Sequence, residues 1–189
     1  MRLLRASTVK LAIPINERDH AIGPPDALVT VVNYGDYECP DCRHRHLAVE
    51  KMFDQLVDSV RFVYRHFPLV NVHTHALRAA EAAEAAAAQG KFWEMHRHIY
   101  SQPDKLEDRH LRHYARKIGL DLDKFDREMV SGTYSAQILD NYYNSLINGI
   151  TGVPTTFING EMFAMSGVEL LSVVQTILEK NDSSRTALP

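Results

Sequence analysis

The pattern of apolar and polar residues along the chain predicts an α/β protein. Short apolar runs rich in β-branched residues are typical of buried strands, whereas apolar residues spaced three and four apart are typical of amphipathic helices. A helix that begins at Pro40 separates two such strands, and Asn159 and Gly160 separate two more with a tight hairpin turn. The predicted strands are residues 9–15, 28–33, 60–66, 155–158 and 161–165.

The middle of the chain predicts helices only. Residues 74–89 are rich in alanine, which has the highest helix propensity, and Asp121 suits the N-cap of a later helix. The sequence therefore predicts a β-α-β half, a run of helices and a β-β-α half, in that order. The further predicted helices are residues 91–101, 107–118, 122–130, 133–148 and 168–179.

Composition narrows the classes of protein that this chain can belong to. It has 189 residues, of which 45% are hydrophobic, with a net charge of -3 and a pI near 6.4. These values exclude a mostly disordered chain and offer no electrostatic attraction to nucleic acid or to an acidic membrane. The N-terminal apolar stretches are short and are broken by Arg5, Ser7 and Lys10. We therefore expect no signal peptide, no membrane insertion and a cytoplasmic location.

The two cysteines, Cys39 and Cys42, flank Pro40 and Asp41 at the predicted start of a helix. Backbone N–H groups that lack partners at a helix N-terminus lower the pKa of a nearby thiol. An exposed Cys39 would attack a substrate disulfide, and Cys42, one turn further along, would then resolve the mixed disulfide. In the cytosol a close cysteine pair is more often catalytic or metal-binding than structural.

Two alternatives to catalysis remain open. A disulfide between Cys39 and Cys42 would switch the affinity of a redox-sensing binding module for its partner. A zinc-binding module would need two further ligands beside this pair. The chain has ten histidines but no second CxxC motif, and His110 and His113 share a helix face without a nearby cysteine in sequence. We therefore predict neither a metal site nor a cofactor.

Five stretches of the sequence carry a family resemblance that spans residues 23–178. They are GPPDALVTVVNYGDYECPDC, RFVYRHFPL, HALRAAEAAEAA, KFWEMH and GVPTTFING, and they resemble the DsbA-like thiol-disulfide oxidoreductases. The resemblance implies a thioredoxin-like fold with an all-helical domain inserted between the βαβ and ββα halves. The expected core is residues 1–66 and 150–180, the insertion is residues 67–149, and residues 181–189 form a flexible tail.

The resemblance also implies roles for residues outside the cysteine motif. Substrates would be disulfides or dithiols of proteins, peptides or small thiols, with a separate redox partner of unknown identity. Pro154 would be a cis proline beside the two sulfurs, and Val153 would offer backbone hydrogen bonds to an extended substrate. Many relatives carry an acidic residue six positions before the first cysteine, where this chain has Asn33. Because Asn33 cannot titrate, proton transfer to and from the second thiol must use another group.

The residues between and beside the cysteines are expected to set their chemistry. Pro40 suits the first helical turn, and the negative charges of Asp41 and Glu38 disfavour a thiolate at Cys39. A less stabilised thiolate makes the dithiol form less favourable and the couple more reducing. We therefore predict thiol-disulfide exchange that is reducing rather than strongly oxidising.

Overall fold

The computed structural model describes residues 9–163 and 169–186. Within these ranges the strands form one mixed sheet in the order β1-β3-β2-β4-β5. Strand β1 pairs antiparallel with β3, β2 with β4, and β4 with β5. The strands are β1 (His20–Ile22), β2 (Val29–Gly35), β3 (Val60–His66), β4 (Thr155–Ile158) and β5 (Glu161–Phe163).

Helices fill most of the remaining described chain. They are α1 (Pro40–Leu56), α2 (Ala76–Ala87), α3 (Phe92–Ser101), α4 (Asp108–Lys117), α5 (Leu122–Ser131), α6 (Ser135–Ile147) and α7 (Glu169–Thr186). The chain forms two compact units. One comprises the residues up to Tyr34, His44–Arg65 and the chain from Pro154 onward, and the other comprises Gly35–Arg43 and His66–Val153.

The first unit contains the sheet. Val29, Val31 and Val32 of β2 are buried, which explains why a nearly continuous apolar run forms this central strand. The turn between β4 and β5 has positive φ angles at Asn159 and Gly160, 48° and 82°. Those two angles are the ones that a tight hairpin turn requires, so the predicted hairpin is confirmed.

The second unit is built around α2. This helix packs against α3, α4, α5 and α6, and its alanines allow these neighbours to approach closely. Glu81 of α2 is nevertheless buried, and it is paired with Arg78 at 2.7 Å and with the hydroxyl of Ser135. The buried alanines of α2 are Ala76, Ala79, Ala80, Ala82, Ala83, Ala85 and Ala86.

Apart from the first strand, the order of strands and helices matches the sequence prediction, and so does the thioredoxin-like fold class. The strand predicted at residues 9–15 is wrong, because only Lys10 makes a bridge, to Glu161. Pro14 has no N–H to donate, and the carbonyls of Ile13 and Pro14 accept hydrogen bonds from Arg65 at 2.9 Å each. Strand β1 was not expected, because three residues are too few to form a recognisable apolar run.

The ends of the last elements also differ from the prediction. Helix α7 extends to Thr186, beyond the predicted end at residue 179. Residues 181–186, expected as part of a flexible tail, continue this helix, whereas residues 187–189 lie outside the described residues. The predicted last residue of β5, residue 165, and the predicted first residue of α7, residue 168, also lie outside the described residues. The observed units place Gly35–Arg43 with the helices, a grouping that the sequence pattern does not indicate.

A substitution at Gly23 tests how closely this residue packs against β3. Its φ is 95°, and a methyl group at its Cα would overlap the carbonyl oxygen of Val60 in β3. We expect Gly23→Ala to lower the free energy of unfolding by about 2–3 kcal/mol, as measured by denaturant titration. Gly90→Ala is the control, because its φ is also positive, 73°, but no atom lies within 4 Å of the added methyl group. Equal losses in the two variants would contradict this assignment.

Candidate active site

Cys39 lies immediately before helix α1, and Cys42 lies in its first turn. The carbonyl of Cys39 accepts the N–H of Arg43 at 3.1 Å, and its own N–H donates to the carbonyl of Asp36 at 3.3 Å. Both cysteines are free thiols. Cys39 is 7% exposed and Cys42 is 1% exposed. Both are therefore buried, and Cys39, which the sequence analysis expected to be exposed, is only slightly more accessible than Cys42.

The environment of Cys39 favours its thiolate. A hydrogen bond from the thiol of Cys42 is the main reason that the pKa of Cys39 falls to about 6. Burial opposes this effect, whereas the backbone N–H groups of Cys42 and Asp41 add to it, and the charge of Asp36 again raises the pKa. The environment of Cys39 therefore favours its thiolate at neutral pH.

Cys42 has the opposite character. Burial raises its pKa far above the usual thiol range, and its hydrogen bond to Cys39 and the charge of that thiolate raise it further. The N–H of Asp36 donates to the sulfur of Cys42 at 3.4 Å, which opposes these effects in part. The two thiols therefore differ in character, because the environment favours a thiolate at Cys39 and a protonated, buried thiol at Cys42.

Asp36 is a buried residue of the candidate site that the sequence analysis did not identify. Its side chain has no exposed surface. The carboxylate accepts the backbone N–H groups of Glu38 at 2.7 Å and Leu69 at 2.8 Å, and it lies 2.8 Å from Nδ1 of His73. Its position directly after a buried strand and three residues before Cys39 is a signal that could have revealed it.

A loop from Phe67 to His75 is hydrogen-bonded to the segment that carries the cysteines. The N–H of Phe67 donates to the carbonyl of Gly35 at 2.8 Å. At the other end of the loop, the N–H of His75 donates to Glu38 at 2.7 Å, and its Nδ1 lies 3.2 Å from the same carboxylate. Together with the Asp36 contacts, these bonds fix the backbone that precedes Cys39.

Aromatic residues hold the same segment from the side of α3. The buried hydroxyl of Tyr37 lies 2.9 Å from Nδ1 of His96, and the rings of Tyr37 and Tyr100 are 4.8 Å apart. The hydroxyl of Tyr100 donates to the carbonyl of Asp36 at 3.3 Å, and Nε of Arg43 donates to the carbonyl of Tyr100 at 3.1 Å. Burial raises the pKa of Tyr37 well above its usual value, and the charge of Glu84 adds to this.

The structure brings together some of the predicted site residues. The carbonyl oxygen of Val153 lies 4.0 Å from the sulfur of Cys39, close enough to accept a weak hydrogen bond from it. Pro154 belongs to the other unit, and its predicted cis peptide and contact with the sulfurs stay predictions. Asp41 is exposed, and it acts on Cys39 through its backbone N–H. The predicted effect of its side-chain charge stays a prediction.

Asn33 is buried in the sheet unit. Its side-chain oxygen accepts a hydrogen bond from the hydroxyl of Thr156 at 2.9 Å, across the β2–β4 pair in which the two residues lie opposite each other. Asn33 therefore has a structural partner of its own, and its side chain is neutral. The buried carboxylate that acts on both cysteines is that of Asp36.

Comparison with known proteins identifies the family. The sequence profile of the thioredoxin family matches residues 15–176. The chain belongs to the thioredoxin family. Among solved structures, a thioredoxin-like oxidoreductase from Silicibacter pomeroyi is 27% identical and has a TM-score of 0.73, with 92% of this chain and 95% of that chain covered. BdbD from Bacillus subtilis has a TM-score of 0.72 at 20% identity, with 85% and 91% covered, and supports a DsbA-like fold.

The curated relatives of this thioredoxin-family chain are much longer than it is. A protein named Na(+)/H(+) antiporter NhaA 3 from Salinispora tropica is 43% identical over 155 residues, which are 80% of this chain and 23% of the relative. NhaA 1 from Salinispora arenicola is 39% identical over 170 residues, which are 89% of this chain and 26% of that relative. The chain thus spans about a quarter of each. Across residues 9–163 and 169–186, no helix combines the length and apolar character needed to cross a membrane.

The hydrogen bond between the two thiols generates a direct test. We expect Cys42→Ala to raise the pKa of Cys39 by about one unit or more, because the main stabilising donor is lost. Cys42→Ser keeps a hydroxyl donor and should raise it less. The measurement is thiolate absorbance at 240 nm between pH 4 and 9, with Cys39→Ser as the control for other absorbing groups. A Cys39 pKa that is the same in all Cys39-containing forms would contradict this account.

Proposed function

We propose that this protein is a thiol-disulfide oxidoreductase that uses Cys39 as its nucleophile and Cys42 as its resolving thiol. One observation carries the proposal: two free thiols lie at the start of α1, Cys39 just before it and Cys42 in its first turn, where the environment lowers the pKa of Cys39 and burial raises that of Cys42. Only the thiolate attacks a disulfide. Two thiols with such different environments suit sequential attack better than a purely structural disulfide does.

The reaction proceeds in two exchanges. The Cys39 thiolate attacks one sulfur of a substrate disulfide, and the other substrate sulfur leaves as a thiolate. Cys42 then loses its proton and attacks the Cys39 sulfur of this mixed disulfide, which forms the Cys39–Cys42 bond and releases the second substrate sulfur. The protein loses two electrons and the substrate gains them. An external dithiol then reduces the protein, so no bound cofactor is needed.

We propose that the couple is reducing rather than strongly oxidising. A nucleophilic cysteine with a pKa of about 6 lies nearer to the value of about 7 found in thioredoxin than to the value of about 3.5 in the strong oxidant DsbA. A smaller stabilisation of the thiolate stabilises the dithiol form less. Such a couple suits the reducing cytoplasm, which is the compartment that we propose for this reaction.

We propose proteins, peptides or small thiols as the substrates. The carbonyl of Val153 lies beside the Cys39 sulfur, and this supports a role for its backbone in aligning an extended chain. We retain the proposal that Pro154 has a cis peptide and packs beside the reacting sulfurs. The physiological redox partner would be a second thiol protein or a small dithiol.

A redox-sensing module is the second candidate function. The chain matches only about a quarter of each of several relatives named as Na(+)/H(+) antiporters. In such long proteins, a Cys39–Cys42 disulfide would change the affinity of this domain for a partner instead of turning over substrates. Repeated turnover separates the two functions, because a sensor reacts once per oxidation event and then stops.

A zinc-binding module has less support. Zinc would require two more ligands beside the cysteine pair. In the part of the chain that the structure describes, no group of three or more histidine, cysteine or acidic ligands includes Cys39 or Cys42.

Turnover and trapping test the proposed function together. With dithiothreitol as the reductant, we expect catalytic amounts of the protein to reduce insulin through many cycles, and to do so faster than they oxidise a reduced, unfolded protein. Cys42→Ser should accumulate a mixed disulfide between Cys39 and a peptide, because the resolving thiol is missing.

Cys39→Ser is the matched control and should form neither the mixed disulfide nor the product. Stoichiometric oxidation without a second cycle would contradict the enzyme and favour the sensor. Faster oxidation of thiols than reduction of insulin would contradict the proposed direction.

A further inference from the structure

A buried ion pair lies beside the cysteines but has no part in the exchange steps above. The carboxylate of Asp36 is fully buried, and the imidazole of His73 is 18% exposed. Nδ1 of His73 lies 2.8 Å from a carboxylate oxygen of Asp36. Burial of a carboxylate is costly unless hydrogen bonds or an opposite charge compensate it. A protonated His73 supplies such a charge.

Asp36 also connects this pair to both sulfur-bearing residues. Its backbone N–H donates to the sulfur of Cys42 at 3.4 Å, and its carbonyl accepts the N–H of Cys39 at 3.3 Å. The N–H of Leu69 binds the same carboxylate oxygen as His73 does, at 2.8 Å. The pair is therefore held rigidly in the segment whose geometry defines the dithiol.

Three negative groups, all within residues 36–39, act on the pKa of His73. Burial lowers the pKa of His73, but the hydrogen bond and charge of Asp36 together with the charges of Cys39 and Glu38 raise it by more, so that the net shift is upward. Glu38 is itself paired with His75. Electrostatic coupling is reciprocal, so an imidazolium at His73 favours the thiolate at Cys39 as much as the thiolate favours the imidazolium.

We propose that His73 is a redox-linked positioning residue, which holds a proton beside Asp36 in the dithiol protein and binds that proton less tightly once the disulfide forms. The inference rests on the proposed function, because it assumes that Cys39 and Cys42 exchange between these two forms. The Asp36–His73 pair would thus change its net charge when the sulfurs react, which the neutral Asn33 cannot do.

Charge and electrons are conserved when the dithiol reduces a substrate disulfide. The dithiol site contains one thiolate, Cys39, and one thiol, Cys42. When it reduces a substrate disulfide, two electrons pass to the substrate, and the Cys42 proton leaves with one of the two substrate sulfurs. The Cys39–Cys42 bond carries no charge, so the negative groups facing His73 fall from three to two. In the disulfide form His73 therefore loses its proton to water at a lower pH than it does in the dithiol form.

An NMR titration of the His73 imidazole on the unmodified protein tests this inference. We expect its titration midpoint to be at least about half a pH unit higher in the dithiol form than in the disulfide form. In Cys39→Ser, which has no thiolate at this position, the midpoint should match that of the disulfide form. Identical midpoints in the dithiol and disulfide forms would overturn the inference.

His73→Gln tests the reverse direction of the coupling. Glutamine keeps an N–H donor for Asp36 but carries no charge. Because the dithiol form loses stabilisation, the thiolate titration of Cys39 should move to higher pH. The equilibrium constant for forming the disulfide from oxidised glutathione at pH 7 should rise about three- to tenfold. An unchanged thiolate titration and an unchanged equilibrium constant would overturn the inference.

His75→Gln is the matched control. His75 lies two residues away and pairs with Glu38, but its side chain is 43% exposed, so solvent screens its charge. We expect less than about a twofold change in the same equilibrium constant. An effect as large as that of His73→Gln would show a general loss of loop structure and would overturn a specific role for His73.

These measurements separate the inference from the proposed function. The thiolate titration needs only the dithiol protein, and the NMR comparison needs a disulfide but no turnover. If insulin is not turned over but His73 still responds to the redox state, the enzyme proposal fails and the coupling stands. If turnover is observed and His73 does not respond, only the coupling fails.

Discussion

Cys39 and Cys42 differ chemically because one precedes the first turn of a helix and the other lies inside it. Backbone N–H groups at the start of α1 and the thiol of Cys42 all donate toward Cys39. The same hydrogen bond keeps the proton on Cys42, and burial strengthens this effect. Loss of that helix start would leave two ordinary thiols. The loop from Phe67 to His75 and the aromatic residues around Tyr37 hold the preceding segment in place.

Burial of Cys39, and to a smaller extent a buried negative charge, limits how far its thiolate is stabilised. An exposed carboxylate such as that of Asp41 is screened by water, whereas the carboxylate of Asp36 acts through the protein interior. The charge of Asp36 raises the pKa of both thiols, whereas its backbone N–H lowers that of Cys42. The structure therefore combines a helix start that favours the thiolate with a buried charge that opposes it, and His73 stands next to the opposing charge.

Much of the fold could be predicted because its signals are local. The β-branched run of β2, the alanine-rich α2 and the Asn159–Gly160 turn each specify their own structure. Strand β1 could not be predicted, since three residues gain their conformation only from pairing with β3. Lys10 makes only a single bridge because Pro14 and Arg65 direct the neighbouring backbone away from a ladder.

The site was predictable to a similar extent. The predicted place of Cys39 and Cys42 at a helix start is observed, and their assignment as nucleophile and resolving thiol stays a proposal. The pair of Asp36 and His73 was not apparent, because the two residues are 37 positions apart in sequence and meet only through the turn that follows β3. Charge effects of this kind depend on burial and distance, which residue spacing does not reveal.

The reduction potential of the Cys39–Cys42 couple, measured by equilibration against glutathione buffers, tests the central claim most directly. It reports the balance between thiolate stabilisation at the helix start and the opposing buried charge. The account predicts a value well below the roughly -120 mV of DsbA and closer to the roughly -270 mV of thioredoxin. A value near -120 mV, on the order of that of the strong oxidant, would contradict it. So would the failure of the two cysteines to form a disulfide.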